Sequence, residues 1–228
     1  MRLLVTLAIA VALLAGGADA ATTATATSTD TVTVTGMGTV TAVPDQAEFD
    51  FTVQTKATTA TGALTRNGTA TKAVIAAVEA AGVAEADIQT AQVSLDPVQS
   101  NDGTSIVGYT ASDTIDVTKL AIAKAGAVVD AAVGAGATDV AGPSLTLSSE
   151  DALYNQALKN AVAQAKTKAQ ALADAAGLNL GGVVTMVEGG GNVTPLPFAV
   201  GAAASPNTPI QPGTQDVQAT VTVTFALS

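Results

Sequence analysis

The sequence predicts an α+β fold, an antiparallel sheet or sheets carrying three main helices on one face. Three observations predict it. Several stretches alternate apolar and polar residues with a period of two, most cleanly over residues 47–53 and 217–225. A unit of helix, glycine cap and strand recurs at Ala80-Ala81-Gly82-Val83, Gly134-Ala135-Gly136-Ala137 and Ala175-Ala176-Gly177-Leu178. The spacings of this repeated α–β unit differ, which argues against a solenoid. Most strands are also separated by turn signals of hairpin type, which favours antiparallel pairing.

The elements follow in order. Met1-Arg2 opens the chain with a positive charge, residues 3–15 are apolar except for Thr6, and Ala18-Asp19-Ala20 has a small-x-small pattern. The apolar run is shorter than the roughly 20 helical residues that cross a bilayer. Residues 1–20 therefore read as a signal peptide cut after Ala20, and no later segment is long and apolar enough for a transmembrane helix. Residues 21–30 are Thr/Ala-rich and read as a flexible arm. The domain spans 31–228, as one unit or two lobes.

Residues 31–43 alternate Thr and Val around Gly36-Met37-Gly38, a strand with a kink or bulge at the glycines. Pro44-Asp45 signals a turn, and Ala47, Phe49, Phe51 and Val53 line the buried side of the next strand, so the two strands are expected to form a hairpin. Residues 59–81 have helical spacing, with Leu64, Thr71, Ile75 and Val78 near one stripe. Residues 88–96 and 106–118 read as strands around the turn Asn101-Asp102-Gly103. A short Ala-rich helix is expected over 119–133 and a strand over 140–148.

Ser148-Ser149-Glu150-Asp151 is a helix start with acids in the first turn. In the helix after it, Leu158, Val162, Ala165, Ala169, Leu172 and Ala176 step by three and four. Residues 183–187 read as a short strand, followed by a Gly/Pro-rich loop over 189–213. Gly189-Gly190-Gly191 is expected to act as a hinge. Five of the eight prolines fall between Pro195 and Pro212. A loop of that length is uncommon unless it has a use.

Composition excludes several chemistries. The chain has 228 residues, no Cys, no His and no Trp, and a net charge of −10. Disulfides, thiolate zinc sites and His-dependent catalytic triads are absent. An acidic chain with 3% aromatics lacks what nucleic-acid binders use. No Gly-x-Ser-x-Gly elbow, Ser-x-x-Lys pair or phosphate-binding glycine loop occurs. The residues call for no cofactor and no metal: the acids at Asp45, Glu48 and Asp50, and at Asp113 and Asp116, have no EF-hand spacing.

Two features remain. Asp113 is in phase with Val107, Tyr109, Ala111, Ile115 and Val117. It is either a buried acid with a function, or an acid turned to water or bonded to backbone. Leu196, Phe198 and Val200, with neighbouring alanines, form an apolar tongue that either contacts another copy or folds onto its own domain.

Further segments carry a family likeness. They are Thr35-Gly36-Met37-Gly38-Thr39-Val40 with Val43-Pro44-Asp45, Asp87-Ile88-Gln89-Thr90, Val107-Gly108-Tyr109-Thr110-Ala111-Ser112, Asp151-Ala152-Leu153-Tyr154, Glu188-Gly189-Gly190 and Pro209-Ile210-Gln211-Pro212-Gly213. In order and spacing the chain resembles the SIMPL-domain family of bacterial periplasmic and outer-membrane-associated immunogenic proteins. The resemblance implies export and an α+β fold. In some members it implies large homo-oligomers of channel-like shape. It also implies links to envelope and oxidative stress and to host immune recognition, and it supplies no catalytic motif. The expected function is thus a non-enzymatic envelope protein whose partner is itself. The alternatives are a binding module for a cation or small ligand, and an enzyme using carboxylates alone, with Asp113 as its anchor.

Overall fold

The computed structural model describes residues 30–196 and 209–228. Its elements are β1 (Thr31–Ala42), β2 (Gln46–Ala57), α1 (Ala60–Ala80), β3 (Ile88–Gln99), β4 (Ile106–Ala121), α2 (Ile122–Ala135), β5 (Asp139–Thr146), α3 (Glu150–Ala176), β6 (Leu180–Leu196) and β7 (Thr214–Leu227). The strands form two antiparallel sheets, ordered β1-β7-β6 and β3-β4-β2-β5. The expected α+β fold with three helices is therefore present.

The four-stranded sheet is built from large side chains. Alternation in β2 buries Ala47, Phe49, Phe51 and Val53, while β4 turns Ile115, Val117 and Leu120 to the same side. Val74 and Val78 of α1 and Ala125, Val128 and Ala132 of α2 close over them. The rings of Phe49 and Phe51 stack 5.9 Å apart. Thr59 caps α1, its hydroxyl accepting from the Gly62 N–H at 3.1 Å. The three caps of the repeated unit, Gly82, Gly136 and Gly177, all take positive φ.

The three-stranded sheet is built from small ones. Ala157, Ala161, Ala165, Ala169 and Ala173 recur every fourth residue along the buried face of α3. They lie on Gly36 and Gly38 of β1. A Cβ at Gly36 would fall 2.0 Å from the Ala161 carbonyl oxygen, and one at Gly38 2.0 Å from that of Ala157. Helix backbone thus rests on strand backbone, a contact that only glycine permits.

Several expectations need correction. β1 and β2 are not a hairpin; β1 pairs with β7 and β2 with β4 and β5. The link between them crosses from one sheet to the other, and Asp45 holds it by accepting from the Ser148 N–H at 2.8 Å and from the Ser148 hydroxyl. The β1 ladder runs unbroken through Gly36 and Gly38, so these glycines make room for α3 and do not form a bulge. The helix stripes are rotated from expectation. Leu64 and Leu172 are 42% and 51% exposed, because Asn67 and Val74 face inward on α1 and alanines do so on α3. α2 starts at Ile122, after Lys119 turns the chain at φ 50°. β6 continues through Gly189-Gly190-Gly191 to Leu196, since ladder bonds to β7 need no side chains; these glycines sit at a register shift, not at a hinge. The expected loop over 189–213 is thus strand as far as Leu196, and its residues 197–208 lie outside the described residues.

Candidate interaction surface

β6 forms one edge of its sheet; among the described residues it pairs with β7 alone. Helix α3 rests on β1 and β7 and leaves β6 largely uncovered. Val183, Val184, Met186 and Val187 are each 48–62% exposed. Glu188 is the sole charged residue among the 17 of this strand. A long, apolar, nearly uncharged edge is a template for further pairing.

The opposite edge, β1, is capped along its middle by α3. Lys168 donates to the Thr35 carbonyl at 2.9 Å, the Met37 N–H donates to Gln164 Oε1 at 2.8 Å, and Asn160 donates to the Thr39 carbonyl at 3.3 Å. Positions 160, 164 and 168 lie one helical turn apart and face the same side of α3. They cap alternate edge groups of β1, where a second strand would otherwise bond.

Between α3 and β6 lies a groove of about 420 Å³ lined by Leu158, Lys159, Val162, Met186, Glu188 and Val221. Tyr154 donates to Glu188 at 2.5 Å. That bond, with the carboxylate charge, holds the phenol above its usual pKa. The Tyr154 ring lies against the strand at Gly191, where a Cβ would come 2.0 Å from its Cε2. A second cleft, of about 480 Å³, lies beyond it, lined by Glu150, Asp151, Tyr154, Gly191 and Val193.

Asp113 lies on the buried face of β4 at 9% exposure. Thr71 of α1 donates to its Oδ2 at 3.0 Å, and its Oδ1 is buried with no hydrogen-bond partner. One turn earlier on α1, the Asn67 amide donates to the Val53 carbonyl at 2.7 Å and reaches that of Ala111 at 3.4 Å. These side chains form a polar seam between α1 and the sheet. Asn67 was missed because a lone Asn among Gly and Thr looks like a surface residue. Asp116 is on the other face from Asp113, opposite Asp50, so the pair Asp113 and Asp116 does not converge. Among the described residues no group of three or more acids is placed to hold a metal ion. Of the apolar tongue, Leu196 ends β6, while Phe198 and Val200 lie outside the described residues. The signal for β6 itself was present in the sequence as an apolar run with a single charge, but the glycines concealed its length.

Two antiparallel sheets, one backed by α1 and α2 and the other by α3, with one edge of the three-stranded sheet capped and the other exposed and apolar, define an α+β protein. The chain belongs to the SIMPL family, whose model, described as a protein of unknown function (DUF541), matches residues 32–225. It is 33% identical over 202 residues to the 26 kDa periplasmic immunogenic protein of Brucella melitensis, covering 82% of this chain and 81% of that protein. The protein of the same name from Brucella abortus matches equally. The uncharacterized protein YggE of Escherichia coli K12 is 31% identical over 162 residues, 70% of this chain and 66% of YggE.

Proposed function

We propose that this protein is an exported, non-enzymatic component of the bacterial envelope, resident in the periplasm, that works as an assembly of its own copies. The observation that carries the proposal is the exposed apolar edge of β6 beside the capped edge of β1. Export is supported by the signal-peptide pattern of residues 1–20 and by the periplasmic name of the Brucella relatives. The burial of Asp113 under α1 supports a structural role for that acid. We extend the proposal to a part in envelope or oxidative stress, which the family likeness suggests and the survival experiment below tests.

Light scattering on the mature chain, residues 21–228, tests the core of this. Multimers at micromolar concentration are expected, and a monomer throughout overturns self-assembly. N-terminal sequencing of the periplasmic form is expected to begin at Ala21; an intact Met1 overturns the cleavage site. A deletion strain is expected to survive peroxide less well than its parent, and equal survival overturns the stress role.

A further inference from the structure

The backbone of β6 specifies how a partner strand would meet it. Asn179 and Ser228 exchange both backbone hydrogen bonds, at 2.6 and 3.0 Å. Bonded pairs recur at every second residue of an antiparallel ladder. Even-numbered residues of β7 therefore bond toward β6, and Thr224 and Thr222 hold Thr185 and Val187. Met186 and Glu188, opposite Val223 and Val221, turn their N–H and C=O groups to the free edge.

The other edges of the molecule are guarded. β1 is capped by Asn160, Gln164 and Lys168. β3 carries Asp96 and Pro97, and β5 is only 8 residues long and contains Pro143. β6 carries proline only near its end, at 195.

Charge selects the occupant. The chain carries a net charge of −10, so a second copy is repelled by most of its surface. β6, with one carboxylate in 17 residues, offers a like-charged copy an uncapped edge with little to repel it, and offers a basic partner little to gain. From these observations we infer that two copies join by antiparallel pairing of β6 with β6 of the second copy, about a two-fold axis at Met186. The inference rests on the self-assembly proposed above. An axis at Met186 keeps the two Glu188 carboxylates four residues apart along the ladder, about 13 Å, beyond the screening length at physiological salt. The result is one continuous sheet of six strands, with an α3 helix over each half.

The chain has no cysteine, so a single introduced thiol reports cleanly. In the oxidised mature protein, Met186→Cys is expected to form disulfide-linked dimers at least about tenfold more than Thr33→Cys on exposed β1, because residue 186 at the axis lies within bridging distance of its own copy. Met186→Pro deletes one free-edge N–H and leaves the ladder to β7 in place. It is expected to lower the mass seen by light scattering while the far-ultraviolet circular dichroism stays that of the parent. A monomeric parent protein removes self-assembly altogether. A multimeric parent in which Thr33→Cys traps as well as Met186→Cys, or in which a folded Met186→Pro keeps the parental mass, overturns the β6 pairing alone.

Discussion

The two sheets of this protein solve the same packing problem in opposite ways. In the four-stranded sheet, Phe49, Phe51, Ile115 and Val117 fill the space beneath α1 and α2. In the three-stranded sheet that space is nearly abolished, and α3 lies on Gly36 and Gly38 through a line of alanines. The first core gains stability from the apolar area its side chains remove from water. The second gains it from close backbone approach and so has no room to give. One core should be sensitive to truncation and the other to enlargement.

The largest effect is expected in the first core. Phe51→Ala removes a fully buried ring and should cost about 3–5 kcal/mol in urea unfolding. Next comes its mirror in the second core. Gly38→Ala adds a single carbon 2.0 Å from a helix carbonyl and should cost about 3 kcal/mol. Ala161→Gly, which shrinks the same contact, should cost only about 1 kcal/mol, mostly as lost helix propensity. If Gly38→Ala proves the milder of these two, the contrast between the cores fails.

Asp113 sharpens the comparison from another side, because it places a carboxylate with one orphaned oxygen inside the better filled core. Asp113→Asn keeps an acceptor for Thr71 and removes the charge. The thermal midpoint should rise, equivalent to about 1 kcal/mol. A fall would mean that the carboxylate contributes more through Thr71 than its burial costs.

The smallest effect concerns the joint between the sheets. The Ser148 hydroxyl and N–H hold the Asp45 carboxyl below its ordinary pKa. Because the folded state depresses that value, its stabilising contribution is complete above the ordinary carboxylate range and is lost as pH falls through the folded pKa. Asp45→Asn should therefore flatten the acid limb of a stability profile below about pH 4 and leave neutral pH nearly unchanged. An unchanged acid limb would show that Asp45 does not couple the sheets.

Legibility in the sequence followed the same division. β2 and β7 could be read residue by residue, because Phe and Val alternate sharply with Glu, Asp and Thr. The glycine caps were legible because few other residues adopt positive φ. The face of α3 was not, because alanine occurs all around that helix and only its glycine counterpart on β1 selects the buried line. The partners of β1 were hidden as well, since a Pro-Asp turn is equally compatible with a hairpin and a crossover. Asp113 was legible as a surface-type residue at a core position. The caps on β1 were not, since Asn160, Gln164 and Lys168 look like an ordinary solvated helix face until the strand beneath them is seen.

Those three capped groups also set the valence of the three-stranded sheet. A ladder with two reactive ends is a bifunctional monomer and polymerises without limit, whereas one with a single reactive end stops when two units have met. Under the proposed β6 pairing, helix α3, by occupying three hydrogen-bonding sites on β1, would turn a fibre-forming unit into one whose growth along that sheet ends by itself. For an exported chain with an exposed apolar strand, that is the difference between a finite particle and a precipitate.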